Sequence, residues 1–276
     1  MLDNITQAKL AIIAGSGDLP KMIIAKCQEQ GRDFMVILIK DEPSNIDFLQ
    51  YNHSIIGFGE ISKIINILKI NQIKELVFAG GVRKPSMTGM AVDKKGAILI
   101  SKILGNKFFG DNNLLSTIVH FFEKEGFNVI GADKIIDDLL AQNGVLGTIK
   151  PDATMLKDIE IGKNALQVMS ELDIGQSIVV QQKQIVGVEA IEGTDNLIKR
   201  CQDLQFKQGN KAVLIKMKKC NQNTKIDLPT LGVKTIKNLS DSSFAGVAVQ
   251  ANFCLIINQK EVISLADELG LFIIGI

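Results

Sequence analysis

The sequence predicts an α/β protein of two domains, the first built on a parallel sheet and the second on a mixed sheet. Three observations carry this. The chain has 276 residues, 46% of them hydrophobic, a length that fits two ordinary domains with filled cores. Its first half alternates short, continuously apolar runs with stretches of helical period. Continuous apolarity marks strands buried on both faces, as in a parallel sheet covered by helices. Its second half carries a strand, polar turn and strand in succession, the pattern of a hairpin.

The elements follow in order. KLAIIA (9–14) reads as a buried strand, then GSGDLP, then MIIAKCQEQ at helical spacing, stopped at Gly31. FMVILI (34–39), HSIIGF (53–58) and ELVFAG (75–80) are strands, and ISKIINILKI (61–70) is a helix before the last of them. Residues 96–105 and 111–125 read as helices and NVIGAD (128–133) as a strand. Residues 141–155 hold two glycines and a proline between patterned regions, which puts a boundary there and gives domains 1–145 and 146–276. A helix over 156–170 precedes SIVVQQKQIVGVEAI (177–191), the hairpin. TDNLIKRCQDLQF is a helix, KAVLIKM a strand and GVKTIKNLSDS a helix. GVAVQA and CLIIN are strands, VISLADELG a helix and LFIIGI a terminal strand.

Composition excludes several functions. The net charge is +1, without the basic excess of a protein that grips phosphate backbones, so nucleic acid is not an expected partner. His53 and His120 are the only histidines, too few for dinuclear metallophosphoesterases or HExxH zinc hydrolases. Cys27, Cys201, Cys220 and Cys254 form no CxxC pair and read as buried thiols in a reducing cytoplasm. The first residues include Asp3 and no apolar run before Lys9, so no secretory signal is expected. No apolar stretch reaches the roughly 20 residues of a membrane span. A soluble protein is expected, still able to touch a membrane surface. Of 31 basic residues only Arg32, Arg83 and Arg200 are arginine, and a surviving arginine points to a place that needs a planar fork.

Several motifs can carry chemistry. Gly15, Ser16 and Gly17 sit between the first strand and first helix, where backbone and helix N-terminus can approach a phosphate. A plain tight turn would look similar, and the third glycine of the dinucleotide fingerprint is missing. Asp18 either repels a phosphate there or caps the helix. Gly80-Gly81-Val82-Arg83 follows the fourth strand and shares that edge if the strands are parallel. Gly110-Asp111-Asn112 precedes a helix and reads first as a cap. His120 in that helix reads as core or surface, and Phe121 and Phe122 as core rather than an acyl groove. Glu189, Glu192 and Asp195 fall within seven residues, followed by Arg200. On a strand over 185–191, Glu189 shares a face with Ile191, so it is expected in the interior or a cleft, where it needs a partner. Such clustered oxygens suit Mg2+ or a general base beside a phosphate, and an N-cap at Thr194 or Asp195 is the plainer reading. Lys216 ends a strand, and Lys219, Lys225 and Asp227 follow in a loop before Pro229.

Taken together, AIIAGSGDLP, GFGE, VFAGGVRKP, GDNNLL, LDIGQSIVV, EAIEGTDNLIKR, VLIKMKK, KIDLPTLG and ADELGLFI run in one order along almost the whole chain. The chain resembles the UDP-2,3-diacylglucosamine pyrophosphatases of lipid A biosynthesis that are unrelated to metallophosphoesterases. EAIEGTD followed by arginine and the later DLPT are the specific elements. The resemblance implies a Rossmann-like N-terminal domain, a mixed-sheet C-terminal domain and a ligand cleft between them. It implies metal-assisted hydrolysis of UDP-2,3-diacylglucosamine to UMP and 2,3-diacylglucosamine 1-phosphate, in the cytoplasm of a Gram-negative cell, with transient inner-membrane contact and a homodimer both compatible.

On this reading substrate contacts fall on Gly15, Ser16, Gly17, Leu19, Gly81, Arg83, Asp111, Gln176, Thr194, Arg200 and Lys216. Asp227, Asp195, Glu189 and Glu192 are the catalytic carboxylates, with Asp227 and Asp195 as ligands of Mg2+ or Mn2+. The family usually reads lysine-proline-x-glutamine-aspartate-x-arginine before the aspartate of DLPT. Here Asn223 stands for that first aspartate and Lys225 for the arginine, which moves the catalytic role to Asp227. Asn223 favours the alternative of a non-catalytic nucleotide-sugar or lipid-binding protein of the same fold. An unrelated Rossmann-type oxidoreductase is disfavoured by the incomplete glycine fingerprint.

Overall fold

A computed structural model describes residues 8–82, 90–105, 111–220 and 222–276. They divide into two compact units, one running through Asp137 and taking in Asn223–Asp227, the other holding Asp138–Gln222 and Leu228–Ile276.

The first unit is built on β1 (Leu10–Ala14), β2 (Phe34–Ile39), β3 (His53–Ile56), β4 (Glu75–Ala79) and β5 (Asn128–Val129). Among the described residues these form one parallel sheet in the order β3-β2-β1-β4-β5. Its helices are α1 (Leu19–Glu29), α2 (Ile61–Ile70), α3 (Lys94–Gly105) and α4 (Asp111–Lys124). Ala11 and Ile13 of β1 enter a core with Ile64 and Leu68 of α2 and Phe121 and Phe122 of α4. Leu10 and Ile12, on the opposite face, are buried too. Both faces are thus covered, as continuous apolarity requires. Phe121 and Phe122 are core, and His120 is exposed. The last strand is shorter than NVIGAD suggests, because a 3-10 turn begins at Ala132. The Asp93 carboxylate accepts from the Ser62 and Lys63 amides, the Ser62 hydroxyl and the Gly96 amide, so one side chain fixes the starts of α2 and α3. Burial works to raise its pKa, but these bonds outweigh it and hold the carboxyl below its ordinary value.

The second unit contains β6 (Gly144–Val145), α5 (Ala153–Glu171), β7 (Ser177–Gln181), β8 (Gln184–Val188), α6 (Thr194–Gln202) and β9 (Val213–Lys216). It continues with β10 (Thr230–Leu231), α7 (Val233–Asp241), β11 (Gly246–Val249), β12 (Leu255–Ile256), α8 (Gln259–Glu268) and β13 (Phe272–Gly275). Its main sheet is mixed, in the order β6-β13-β11-β9-β7-β8. β9, β11 and β13 are parallel, while β6, β7 and β8 run antiparallel to their neighbours. Side chains alternate between two cores: Leu214 packs with α6, α7 and α8 residues, Val213 and Ile215 with Ile159 and Leu166 of α5. The glycine-rich stretch 141–155 is not all connection, because β6 lies in it. CLIIN supplies only β12, paired with β10 in a separate two-stranded sheet.

The expected hairpin is β7–β8. Its turn residues Gln182 and Lys183 are both left-handed, at φ 50° and 66°. Neither is glycine or asparagine, the residues such a turn favours. Asp158, fully buried on α5, accepts from both turn amides, at 2.9 and 2.5 Å. Asp158→Ala is therefore expected to lower stability by about 1–3 kcal/mol by leaving these donors without their acceptor. A shift of the urea unfolding midpoint checks this; an unchanged midpoint would mean that the turn holds itself.

Three cysteines are buried as expected, but Cys220 is exposed, since it lies in the loop beyond β9. Burial pushes the Cys254 thiol up to about 12.

Candidate active site

In the first unit the glycine loops stand at the carboxyl ends of β1 and β4, adjacent strands at which the sheet order reverses. That is the ligand-binding edge of open α/β sheets. The loops are stitched together: Ser16 and Gly81 exchange backbone hydrogen bonds of 2.7 and 3.1 Å, and the Ser16 hydroxyl donates to the Gly81 carbonyl at 3.0 Å. A Cβ at Gly15 would lie 2.3 Å from the Gly81 oxygen, and one at Gly80 2.2 Å from the Ser16 oxygen. These glycines are thus needed for backbone to meet backbone. Ser16 and Gly17 are exposed and Leu19, the first residue of α1, is half-buried. Asp18 holds the N-cap position without a side-chain capping bond. Arg83 and the side chain of Asp111 lie outside the described residues.

Asp227 also belongs to the first unit. Its amide and that of Ile226 donate to the Asn223 carbonyl, at 2.9 and 3.2 Å, making a compact turn. The Asn223 side-chain oxygen accepts from the Lys225 amide at 3.0 Å. Lys225 pairs with Glu123 of α4 at 2.6 Å, and Ile226 packs on the core beneath. Asp227 is half-buried.

In the second unit a polar cluster forms across three strands. Lys216 closes β9 directly opposite Ser177, the first residue of β7. Glu189 follows β8, and its amide donates to the Ser177 carbonyl at 2.9 Å. Relative exposures are 6% for Lys216, 0% for Ser177 and 6% for Glu189. Thr194, at the start of α6, joins them. Its hydroxyl donates to the Glu189 carboxylate at 3.2 Å, receives Lys216 Nζ at 3.2 Å and lies 3.2 Å from Ser177 Oγ. Lys216 Nζ also donates to the Thr230 carbonyl at 3.0 Å. Gly175 permits this packing: its φ is +49°, and a Cβ there would fall 2.0 Å from the Glu189 oxygen.

The neighbouring residues brace the cluster. Arg200 donates to the Glu192 carboxylate at 2.7 Å and to the Val188 carbonyl at 2.9 Å. This guanidinium holds the Glu192 carboxyl below its ordinary pKa. Arg32 likewise spans Glu75, at 2.5 Å, and the Ala8 carbonyl. Both described arginines thus use guanidinium donors on protein partners, Arg32 through Nε and Nη2 and Arg200 through Nη2 alone. Asp195 accepts from Asn238 at 2.9 Å and pairs with exposed Lys234 at 2.6 Å. Gln176 receives the Met217 amide on its carbonyl, and its side-chain oxygen receives Gln222 at 3.5 Å.

The structure therefore gathers Glu189, Thr194 and Lys216, with Glu192 and Arg200 bonded beside them. β8 ends at Val188, so Ile191 does not share a buried face with Glu189 but is fully exposed. Glu189 is interior for a different reason, its place opposite Ser177. Sequence reasoning missed Ser177, although the hairpin register alone places it there.

The architecture is that of an α/β protein with glycine loops at a sheet edge and a Lys–Thr–Glu cluster whose lysine and glutamate are buried. Residues 9–139 match the model of the LpxI N-terminal domain, and residues 142–274 that of the LpxI C-terminal domain. The chain is also similar to the UDP-2,3-diacylglucosamine pyrophosphatase LpxI of Caulobacter vibrioides, at 34% identity over 275 residues and 97% of each chain. The chain belongs to the LpxI family.

Proposed function

We propose that this chain hydrolyses the pyrophosphate bond of UDP-2,3-diacylglucosamine, giving UMP and 2,3-diacylglucosamine 1-phosphate. The observation that carries this is the near full-length similarity to the Caulobacter vibrioides enzyme. Water adds to one phosphorus, the bridging P–O bond breaks, and the water proton passes to a carboxylate. Asp227 is the proposed base. The Lys216 ammonium offsets charge on the phosphoryl oxygens, and the exposed Gly17 backbone ahead of α1 contributes a donor. Glu189 and Thr194 hold Lys216; Arg200 and Glu192 hold the turn between them. In this reading the enzyme works in the cytoplasm and meets its acylated substrate at the inner membrane. Among the described residues no helix is long and apolar enough to cross a membrane.

Magnesium or manganese is proposed as cofactor. Among the described residues no three His, Cys, Asp or Glu side chains gather as a metal cluster. Mg2+ does not require one, since it is commonly held by one or two carboxylates together with substrate phosphates. Asp195 suits that role because its tie to exposed Lys234 is a surface pair, weak and easily exchanged. Asp227 is the second carboxylate that the sequence offers as a ligand. The ion would neutralise phosphoryl charge. Purified protein incubated with UDP-2,3-diacylglucosamine is expected to release UMP, to stop in EDTA and to resume with Mg2+ or Mn2+. Full activity in chelator would remove the metal from the reaction. Tight binding without any UMP would favour a binding protein, the reading that Asn223 supports.

A further inference from the structure

We infer that Ser177 is a positioning residue, holding the Lys216 ammonium in place through the Thr194 hydroxyl. The donors follow from chemistry. A carboxylate only accepts and an ammonium only donates. Thr194 therefore gives its one proton to Glu189 and accepts from Lys216 on one lone pair. Ser177, 3.2 Å away, can only be the donor to the second lone pair. Thr194 is then saturated, and its hydroxyl has one orientation. The sheet enforces the same arrangement. Ser177 lies opposite Lys216 on one side and bonds the Glu189 backbone on the other, so the three residues form a row across β9, β7 and the end of β8. Two Lys216 protons go to Thr194 and the Thr230 carbonyl. The third is left for an anionic oxygen, and its direction depends on the other two.

Removing the serine hydroxyl leaves a Thr194 lone pair unfilled, so its hydroxyl and the ammonium that bonds it can turn. The consequence for turnover rests on the proposed hydrolysis, in which Lys216 faces phosphoryl oxygens. Ser177→Ala, a small change at a buried site, is expected to lower kcat about tenfold with little change in KM. In a Lys216→Met background the same substitution is expected to cost no further kcat. A crystal structure of Ser177→Ala should show Lys216 Nζ moved off Thr194 Oγ1. Equal losses of kcat in both backgrounds would overturn the inference, as would an unmoved Lys216. If the parent releases no UMP, or Lys216→Met keeps full kcat, the functional reading fails instead. The crystal structure then decides on Ser177 by itself.

Discussion

Asp227→Ala is expected to lower UMP release by about 10²–10⁴-fold, the usual cost of losing a general base. The position favours that role. Asp227 precedes Leu228-Pro229 in the chain and closes the turn made by Asn223, so local backbone bonds fix where its Cα sits. Substrate binding should survive, because the nucleotide and acyl chains are untouched. Asn223→Asp should leave activity equal or raise it. Either side chain supplies the oxygen that the Lys225 amide needs, so the turn persists while a carboxylate is gained. Near wild-type turnover in Asp227→Ala would place the base elsewhere, with Asp195 and Glu192 the next to test.

Lys216→Met is expected to reduce kcat by about 10²–10³-fold, as when one preorganised donor to a developing negative charge is lost. It should also reduce stability, on the order of 1–3 kcal/mol, because the Thr230 carbonyl and the Thr194 hydroxyl lose a donor. The two effects separate experimentally. Urea unfolding reports the second, and kcat measured well below the transition reports the first. A destabilised variant with normal kcat would make Lys216 a structural residue alone.

Much of the fold was legible because strands buried on both faces leave unbroken apolar runs, as LAIIA and FMVILI do. The hairpin was legible because its polar turn interrupts two such runs. Its geometry was not, since the acceptor that supports left-handed Gln182 and Lys183 is Asp158, distant in sequence. The start of α3 was set two residues late although its cap is local: Asp93, directly ahead of the helix, accepts from the Gly96 amide and also bonds Ser62 and Lys63. Period-two reasoning carried β8 past Val188, where Arg200 takes the strand's carbonyl and redirects the chain through Glu192. Glu189, Thr194 and Lys216 could be selected as polar residues at strand and helix ends. That they share one hydroxyl could not be read, because it depends on the register of three strands and the placing of α6.

The short turn at Asn223–Asp227 makes the first unit discontinuous in the gene. A polypeptide cut after Asp137 would lack the side chain of Ile226 and the tether from Lys225 to Glu123. Its apolar surface would be open to water where those five residues belong. The two halves recognised by separate family models are therefore not interchangeable cassettes. Recombining either with a foreign partner would have to carry this turn along, and a fragment library cut by linear boundaries would never sample the intact first unit.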